Sequence, residues 1–233
     1  MIGDHLFVLA AFLLAGSVFV VSLYVAFMWL PRKMERAYQN ALRTLATAVE
    51  TKDSRTLGHA EHVAELVVQT CEKLNLSREQ IKLARWAALM RDIGKAAVPH
   101  RILNKDAELT EGELRVVRSH VKEGSEIVAQ IPKLKPIQSI ILHHHERWDG
   151  TGYPDGLKGE QIPFLARIIG IVDDYEAMTS DRPYHPAMSD PDVIQFITKY
   201  SGTLYDPVVA EAFLLVLLEK NRAARESEGK EAA

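Results

Sequence analysis

The sequence predicts an all-α protein made of one N-terminal transmembrane helix, a connecting helix and a helical domain. Three observations support this fold class. Residues 6–30 contain no charged side chain. Helical periodicity dominates the chain from about residue 53 to about residue 218. The strict alternation of apolar and polar residues that indicates an amphipathic strand is missing, although one short apolar run, ARIIGIV at Ala166–Val172, is compatible with either a helix or a strand.

The first element is the apolar segment Leu6–Leu30, which follows a flank formed by residues 1–5. As a helix this segment is roughly 37 Å long, enough to cross a hydrocarbon core of about 30 Å. Arg32, Lys33 and Arg36 follow it, so the positive-inside rule places the C-terminal side in the cytoplasm. A cleaved signal peptide is the alternative, but its basic start is absent and the apolar run is too long. We expect a single-pass anchor.

The second element, residues 31–52, has the pattern of an amphipathic connecting helix. Apolar positions recur at alternating spacings of four and three residues, as in a coiled coil, at Met34, Tyr38, Ala41, Leu45 and Ala48. The pattern covers only about two heptads. A homodimer joined through this helix and a helix that packs on its own domain both explain it.

The third element is a helical domain over residues 53–220. Helices are expected near residues 59–74, 78–93, 110–129, 133–145, 162–179, 190–199 and 207–220. Thr110 followed by Glu113 is a capping box that marks one helix start. A glycine-rich loop at 148–161 allows tight turns and close approach of a ligand. The polar tail, residues 221–233, is expected to be disordered.

Composition narrows the possible partners. The net charge is −3 and charged residues make up 25% of the chain, which argues against a nucleic acid polymer as partner. Cys71 is the single cysteine, so it cannot form an internal disulfide. We expect it to be a small buried hydrophobe in a reducing compartment.

Polar residues that interrupt apolar helices are the candidates for chemistry. Imidazole and carboxylate groups are costly to bury unless they are paired or bound to a metal. Ligands of this type suit iron, manganese, zinc, cobalt or nickel better than calcium. The residues concerned are His59, His62, Arg91, Asp92, His120, His143, His144, His145, Asp173 and Asp174.

An ordered set of motifs carries a resemblance to the HD-GYP family of metal-dependent phosphohydrolases, a bacterial branch of the HD superfamily. The motifs are DSRTLGHAEHV, DIGKAAVPHRILNK, LTEGELRVVRSHVKEG, HHERWDGTGYPDGLKGEQIP, RIIGIVDDYEAMTSDRPY and GTLYDP. They extend over two-thirds of the chain. The resemblance implies an all-helical domain that hydrolyses cyclic di-GMP, a bacterial second messenger, at a cluster of metal ions. With the N-terminal anchor, it also implies a location in the bacterial inner membrane.

The resemblance also implies roles for individual residues. Asp92 would bridge two cations, and Lys95 would contact the scissile phosphate. Gly152, Tyr153 and Pro154 are the motif that names the family and would lie at the substrate. His143 and Asp174 fall outside the ligand set. The implied metal ligands are His59, Asp92, His120, His144, His145 and Asp173. Iron or manganese is the expected metal, as one or two ions.

One position departs from the family pattern: Arg91 stands where the family has a histidine ligand. Arginine stays protonated and has no lone pair for a metal. A guanidinium about 4 Å from a divalent ion is repelled by roughly 8 kcal/mol at an effective dielectric of about 20. The first metal site, which would also use His59 and Asp173, is therefore expected to be impaired, whereas the second keeps its ligands. His100 is a lesser departure outside the metal set.

Four interpretations follow for Arg91. The chain is a membrane-anchored cyclic di-GMP phosphodiesterase in which Arg91 replaces the first metal and contacts a phosphate directly. Alternatively, it is a degenerate member that binds a nucleotide or a signalling protein partner without turnover. A phosphohydrolase acting on another nucleotide is the third interpretation. The fourth is a metal-free scaffold in which Arg91 and Asp92 form a plain ion pair.

Overall fold

A computed structural model of the chain describes residues 2–52, 58–105, 107–180 and 186–231. Within these ranges the regular structure is helical, and extended pairing is limited to one isolated bridge between Ser201 and Tyr205. The all-α prediction is confirmed. The α-helices are α1 (Ile2–Tyr24), α2 (Leu30–Glu50), α3 (His59–Lys73), α4 (Arg78–Met90), α5 (His100–Leu103), α6 (Glu111–Arg118), α7 (His120–Ala129), α8 (Gln138–His143), α9 (Phe164–Thr179), α10 (Asp190–Tyr200) and α11 (Pro207–Glu231).

The helix boundaries differ from the predicted ones at several places. Helix α1 begins at Ile2, within the flank predicted at residues 1–5, and α4 ends at Met90, before the predicted residue 93. The helix expected at 110–129 is two helices, because Ser119 ends α6 and precedes α7. The helix expected at 133–145 is a 3₁₀ turn, Lys135–Ile137, followed by the short α8. The last helix continues to Glu231, where a disordered tail was predicted after residue 220. Residues 53–57 and 181–185, which belong to two of the quoted motifs, lie outside the described part of the chain.

The chain divides into two compact units, residues 1–42 and residues 43–233. The first unit contains α1, a π-helical turn at Val25–Trp29 and the start of α2. Its apolar side chains face outward, and Phe12, Phe19 and Phe27 are each more than 60% exposed. Of the helices in the described residues, one segment is long and apolar enough to cross a membrane, and it lies near the N-terminus.

The second unit is built around α3, which packs against α4, α9 and α11. Val63, Val67 and Cys71 recur every four residues on α3 and are fully buried, as is Phe213 of α11. Burial raises the pKa of the Cys71 thiol to about 12, with Glu72 adding to the effect. Cys71 therefore packs as an apolar side chain and carries no reactive thiolate.

The start of α3 is set by Glu50. Its buried carboxylate accepts hydrogen bonds from the backbone N–H of Gly58 at 3.0 Å and of Ala60 at 2.6 Å. These bonds satisfy N–H groups that a helix start leaves without intrahelical partners. Gly58 takes a positive φ of 83°, a conformation that glycine adopts without strain. Helix α3 consequently begins at His59.

A 3₁₀ turn at Ile93–Ala97 follows α4 and packs directly on α7. A Cβ atom on Gly94 would overlap the carbonyl oxygen of His120, so only glycine permits this approach. The close contact brings the Asp92–Lys95 segment next to His120.

Candidate active site

Three histidines from two helix ends converge in the second unit. His120 is the first residue of α7, and His144 and His145 directly follow α8. One ring nitrogen from each lies within 4.8 Å of those of the other two. His120 is 2% exposed and His144 is 1% exposed. Three imidazoles at this spacing form a candidate metal centre.

Backbone contacts set the tautomers of two of these rings. The Nδ1 of His120 lies 2.8 Å from the carbonyl oxygen of Val117, and the Nδ1 of His144 lies 2.7 Å from that of Ile141. Because a carbonyl oxygen only accepts, both Nδ1 atoms carry the proton. Each Nε2 then presents a lone pair, and both Nε2 atoms are buried without a hydrogen-bond partner among the residues that the structure describes. This orientation fits a metal ion.

Burial keeps the three imidazoles neutral. It lowers the pKa of His120 and lowers that of His144 to about 4, where the neighbouring His120 adds to the effect. The pKa of His145 is held well below its ordinary value, first by burial and then by His144. Neutral imidazole is the form that binds a metal, so near neutral pH these rings are ready to act as ligands.

Asp92 and Lys95 lie beside the histidine cluster. Asp92 Oδ1 is 3.7 Å from His120 Nε2 and 3.1 Å from the Lys95 Nζ. Burial alone would raise the pKa of Asp92, but the charges of Lys95 and Arg91 outweigh it and hold the pKa well below its usual range. Asp92 is therefore an ionised carboxylate that can join the three histidines.

Arg91 lies between two carboxylates in the interior. It is 3% exposed, and its Nε donates to Asp173 Oδ1 at 2.6 Å and lies 3.5 Å from Asp92 Oδ2. Its Nη1 donates to the carbonyl oxygen of Ala88 at 3.1 Å. Burial opposes the charged form, but Asp173 and Asp92 outweigh it and raise the pKa of Arg91. A permanent cation thus lies against both carboxylates and offsets one of their two negative charges.

His59 lies apart from the histidine cluster. Its Nδ1 is 2.8 Å from Glu176 Oε1, and His62 Nδ1 is 2.7 Å from the other oxygen of the same carboxylate. Among the described residues, the group of closely spaced ligand atoms contains the other three histidines and not His59. Asp173 is likewise committed to Arg91.

Glu176 was not predicted from the sequence. A signal was present, because Glu176 follows Asp173 by three residues on α9, which places the two on one face of a helix. Burial alone would raise the pKa of Glu176, but the hydrogen bond and charge of His62 and the charge of His59 lower it. Glu176 is a carboxylate that accepts a hydrogen bond from His62 and lies at ion-pair distance from His59.

The Gly152–Tyr153–Pro154 loop covers His145. The backbone N–H of Tyr153 donates to the carbonyl oxygen of His145 at 3.2 Å, and the two rings stack with centroids 4.9 Å apart. A Cβ atom on Gly152 would overlap the backbone of Glu146, so the loop needs glycine there. Pro154 follows through a cis peptide bond and is exposed. Tyr153 thereby contacts a metal-ligand candidate directly.

A cavity of about 110 Å³ opens beside the loop. His144, His145 and Tyr153 line one part of it, and Arg118 and Arg147 line another. Neither arginine was predicted as a site residue, since each lies outside the carried-over ligand set. The cavity lining thus includes two of the candidate metal ligands and two exposed arginines.

The two residues that the motifs left outside the ligand set have partners elsewhere. His143 Nε2 lies 3.0 Å from Asp155 Oδ2, and its Nδ1 lies 2.8 Å from the carbonyl oxygen of Ser139. Asp174 Oδ2 accepts a hydrogen bond from the Tyr205 hydroxyl at 3.0 Å. His100 is exposed at the start of α5.

Comparisons with known proteins bear on this geometry. A family model described as the HD domain matches residues 43–209. The response regulator RpfG of Xanthomonas campestris, named a cyclic di-GMP phosphodiesterase, is 36% identical over 184 residues, which cover 78% of this chain and 49% of that protein. A cyclic di-GMP phosphodiesterase of Pseudomonas aeruginosa is 39% identical over 178 residues, covering 76% of this chain and 42% of that protein.

Solved structures agree in fold. The cyclic GMP-AMP-specific phosphodiesterase V-cGAP3 of Vibrio cholerae has a TM-score of 0.60 at 18% identity, covering 79% of this chain and 49% of that one. The PgpH HD domain of Listeria monocytogenes, in complex with cyclic di-AMP, has a TM-score of 0.53 at 21% identity. The match covers 75% of this chain and 95% of that one. The chain spans about half the length, or less, of the curated relatives it matches.

Proposed function

Since the chain belongs to the HD domain family, we propose that it is a metal-dependent phosphodiesterase of the HD-GYP type that hydrolyses cyclic di-GMP with an impaired first metal site. The observation that carries the proposal is the pair of buried Nε2 atoms, on His120 and His144, that have no partner and converge with His145. Asp92 and Lys95 stand next to them, which is what attack on a phosphodiester requires.

The residues that would hold the metal are His120, His144, His145 and Asp92. A divalent ion there, iron or manganese, would supply an activated water near neutral pH and positive charge beside the phosphoryl oxygens. Lys95 adds a point charge, and its hydrogen bond to Asp92 keeps the ammonium group at the edge of the site. The backbone bonds of His120 and His144 hold the rings in the ligating tautomer.

Arg91 takes the place of a first cation in this proposal. Its guanidinium contacts Asp173 and lies near Asp92, where the family resemblance implies a metal ion when a histidine stands at this position. The impaired site would retain two of its ligands, His59 and Asp173. Each of them is paired with a charged neighbour. The chain would then work with one ion. The proposal includes two further contacts. Arg91 would contact a phosphate directly, and the substrate would also contact Gly152, Tyr153 and Pro154.

The substrate and location follow from similarity and sequence. Relatives are named as acting on cyclic di-GMP or on 3'3'-cGAMP, so a cyclic dinucleotide is the proposed substrate class.

The apolar helix α1, with Arg32, Lys33 and Arg36 on its C-terminal side, supports an anchor in the bacterial inner membrane with the HD domain in the cytoplasm. A homodimer and a signalling protein partner remain predictions from the heptad pattern and the family.

A second candidate function is nucleotide binding without turnover. The contact between buried Arg91 and part-buried Asp173 favours it, because the guanidinium occupies a carboxylate that the first metal site would use. The protein would then act by binding a partner and not by hydrolysing the nucleotide.

Hydrolysis of cyclic di-GMP separates the two candidates. The full chain, purified in detergent without oxygen and supplied with Mn²⁺ or Fe²⁺, should release linear product, and His144→Ala should abolish release. Arg91→His should raise the rate. Tight cyclic di-GMP binding with no product after long incubation of the unmodified chain would instead establish the non-catalytic function.

A further inference from the structure

We propose that Arg118 and Arg147 form a second phosphate subsite at the cavity beside His145, which binds the phosphodiester of a cyclic dinucleotide that is not being cleaved. The inference rests on the proposed function and adds two residues that the metal centre does not use. Both side chains line one cavity together with His144, His145 and Tyr153.

Arg118 is held over the metal centre by aromatic contacts. It ends α6, is exposed, and its guanidinium carbon lies 5.0 Å from the centroid of the Tyr153 ring. Tyr153 in turn stacks on His145 at 4.9 Å. The stack fixes the direction of the guanidinium while leaving its N–H groups available for a ligand. The side chains therefore stack in the order His145, Tyr153, Arg118, starting from a candidate metal ligand.

Arg147 approaches the same cavity from the loop. It follows His145 by two residues and is exposed. In the described residues neither Arg118 nor Arg147 has a carboxylate within ion-pair distance. Arg167, which lines the cavity too, differs: it pairs with Asp206 at 2.9 Å and donates to two backbone carbonyls. Two of the three cavity arginines are thus uncommitted.

The carboxylates around the cavity already have donors within the protein. Glu146 Oε1 accepts the backbone N–H of Asp155 at 2.8 Å, and Asp174 accepts the Tyr205 hydroxyl. Asp206 is bonded by Arg167. The second oxygen of Glu146, Oε2, is buried without a hydrogen-bond partner in the described residues. Arg118 and Arg147 are the exposed cations of the cavity lining without an ion-pair partner in that part of the chain, and they favour an anionic group beside them.

A cyclic dinucleotide supplies that anion. Its two phosphodiesters belong to one macrocycle, so holding one at His120, His144 and Lys95 keeps the other nearby. Guanidinium groups bind phosphate through paired hydrogen bonds, which also fix orientation. A diester with a single phosphate would use the metal centre and leave the arginines without a partner. The subsite consequently selects for cyclic dinucleotides.

The test compares two substrates in the full chain in detergent with Mn²⁺. Cyclic di-GMP carries two phosphodiesters and bis(p-nitrophenyl) phosphate carries one. For Arg118→Gln and Arg147→Gln we expect the KM for cyclic di-GMP to rise about tenfold or more relative to the KM for the one-phosphate diester. Arg118→Lys should recover part of the loss. The matched control is Arg115→Gln on the same helix, because Arg115 faces Glu111 at 4.0 Å.

The outcomes separate this inference from the proposed function. Equal KM increases for both substrates, or no increase for either, would overturn the subsite. If the unmodified chain cleaves neither substrate, the proposed catalysis fails, and equilibrium binding of cyclic di-GMP to the Mn²⁺-loaded chain decides the subsite instead. Binding at least about tenfold weaker in both glutamine variants supports it, and absence of binding to the unmodified chain overturns it. Equal melting temperatures show that the exposed arginines are not needed for folding.

Discussion

At the scale of single residues, the proposed function assigns Arg91 the role of limiting how many cations the site holds. A histidine there could donate a lone pair, whereas the guanidinium brings its own charge and occupies the space between Asp92 and Asp173. Displacing Arg91 would leave a guanidinium that is 3% exposed without its carboxylate partners, so the arrangement opposes an incoming ion. The neighbouring cluster of His120, His144 and His145 presents neutral imidazoles that could hold a metal ion.

Removal of metal should therefore destabilise the chain through His144. A ligand that binds only the folded state at about 100 times its Kd stabilises it by about 2.7 kcal/mol. We expect a chelator to lower the melting temperature of the Mn²⁺-loaded chain. The same chelator should leave His144→Ala unaffected, because the ring that presents the buried Nε2 is gone.

His143→Ala is the matched control for this measurement. His143 is the preceding residue, but its nitrogens contact Asp155 and Ser139 outside the cluster. It should respond to the chelator as the unmodified chain does. A melting temperature that the chelator does not change in the unmodified chain would favour a metal-free scaffold held by ion pairs.

The motifs predicted part of the residue-level site. His120, His144 and His145 come together as expected, because each lies at the end of an apolar helix and the helix ends converge. The partners of His59 and Arg91 could not be ranked in advance. Both Glu176 and Asp173 lie on one face of α9 and are carboxylates that could pair with His59 or Arg91. Only the packing of α9 against α3 determines which pairs form.

At the scale of elements, α6 illustrates a helix that local sequence determines. Thr110 and Glu113 form the predicted capping box, and Glu113 also accepts a hydrogen bond from Lys105 at 2.6 Å. The hydrogen bonds from Lys105 and from Thr110 lower the pKa of Glu113 to about 2. The split at Ser119 that follows was not predicted, since His120 remains helical and the apolar pattern continues.

Because the pKa of Glu113 is lowered in the folded protein, the stability of the second unit depends on pH. Its folded pKa lies below the ordinary value of 4.5, so below that value the unfolded chain binds more protons. The contribution is complete above about pH 4.5 and is lost as the pH falls towards about 2. We expect the difference in unfolding free energy between the unmodified chain and Glu113→Gln to be smaller at about pH 3.5 than at about pH 7.

Denaturant unfolding at the two pH values measures this difference. Glu111→Gln is the control, because Glu111 lies in the same first turn but does not take part in the capping box. A Glu113→Gln effect that stays constant over this range would show that the carboxylate charge does not carry the stabilisation.

At the scale of the whole molecule, the two units have different chemical characters. The first exposes apolar side chains along α1, which suits lipid and not water. The second buries its apolar residues in a core formed by α3, α4, α9 and α11. An uncharged run of 25 residues predicted the apolar helix of the first unit, and helical periodicity predicted the helices of the second. The extension of α11 to Glu231 was missed, since its polar tail resembles a disordered segment in composition.

The membrane anchor is tested by fractionation of cells that express the full chain. We expect it to sediment with membranes and to need detergent for release, because α1 supplies an uncharged segment long enough to cross about 30 Å of hydrocarbon. Deleting residues 2–30 should move the protein to the soluble fraction. Release of the full chain by high salt alone would contradict a membrane-spanning helix.

The central claim, that Arg91 stands in for one metal and leaves a single-ion centre, is tested most directly by counting metal. Elemental analysis of the full chain, loaded with Mn²⁺ in detergent and freed of excess ion, should find about one ion per chain. Arg91→His should bind more, and His144→Ala should bind less than the unmodified chain. Two ions per unmodified chain would show that Arg91 leaves the first site open and would contradict the account.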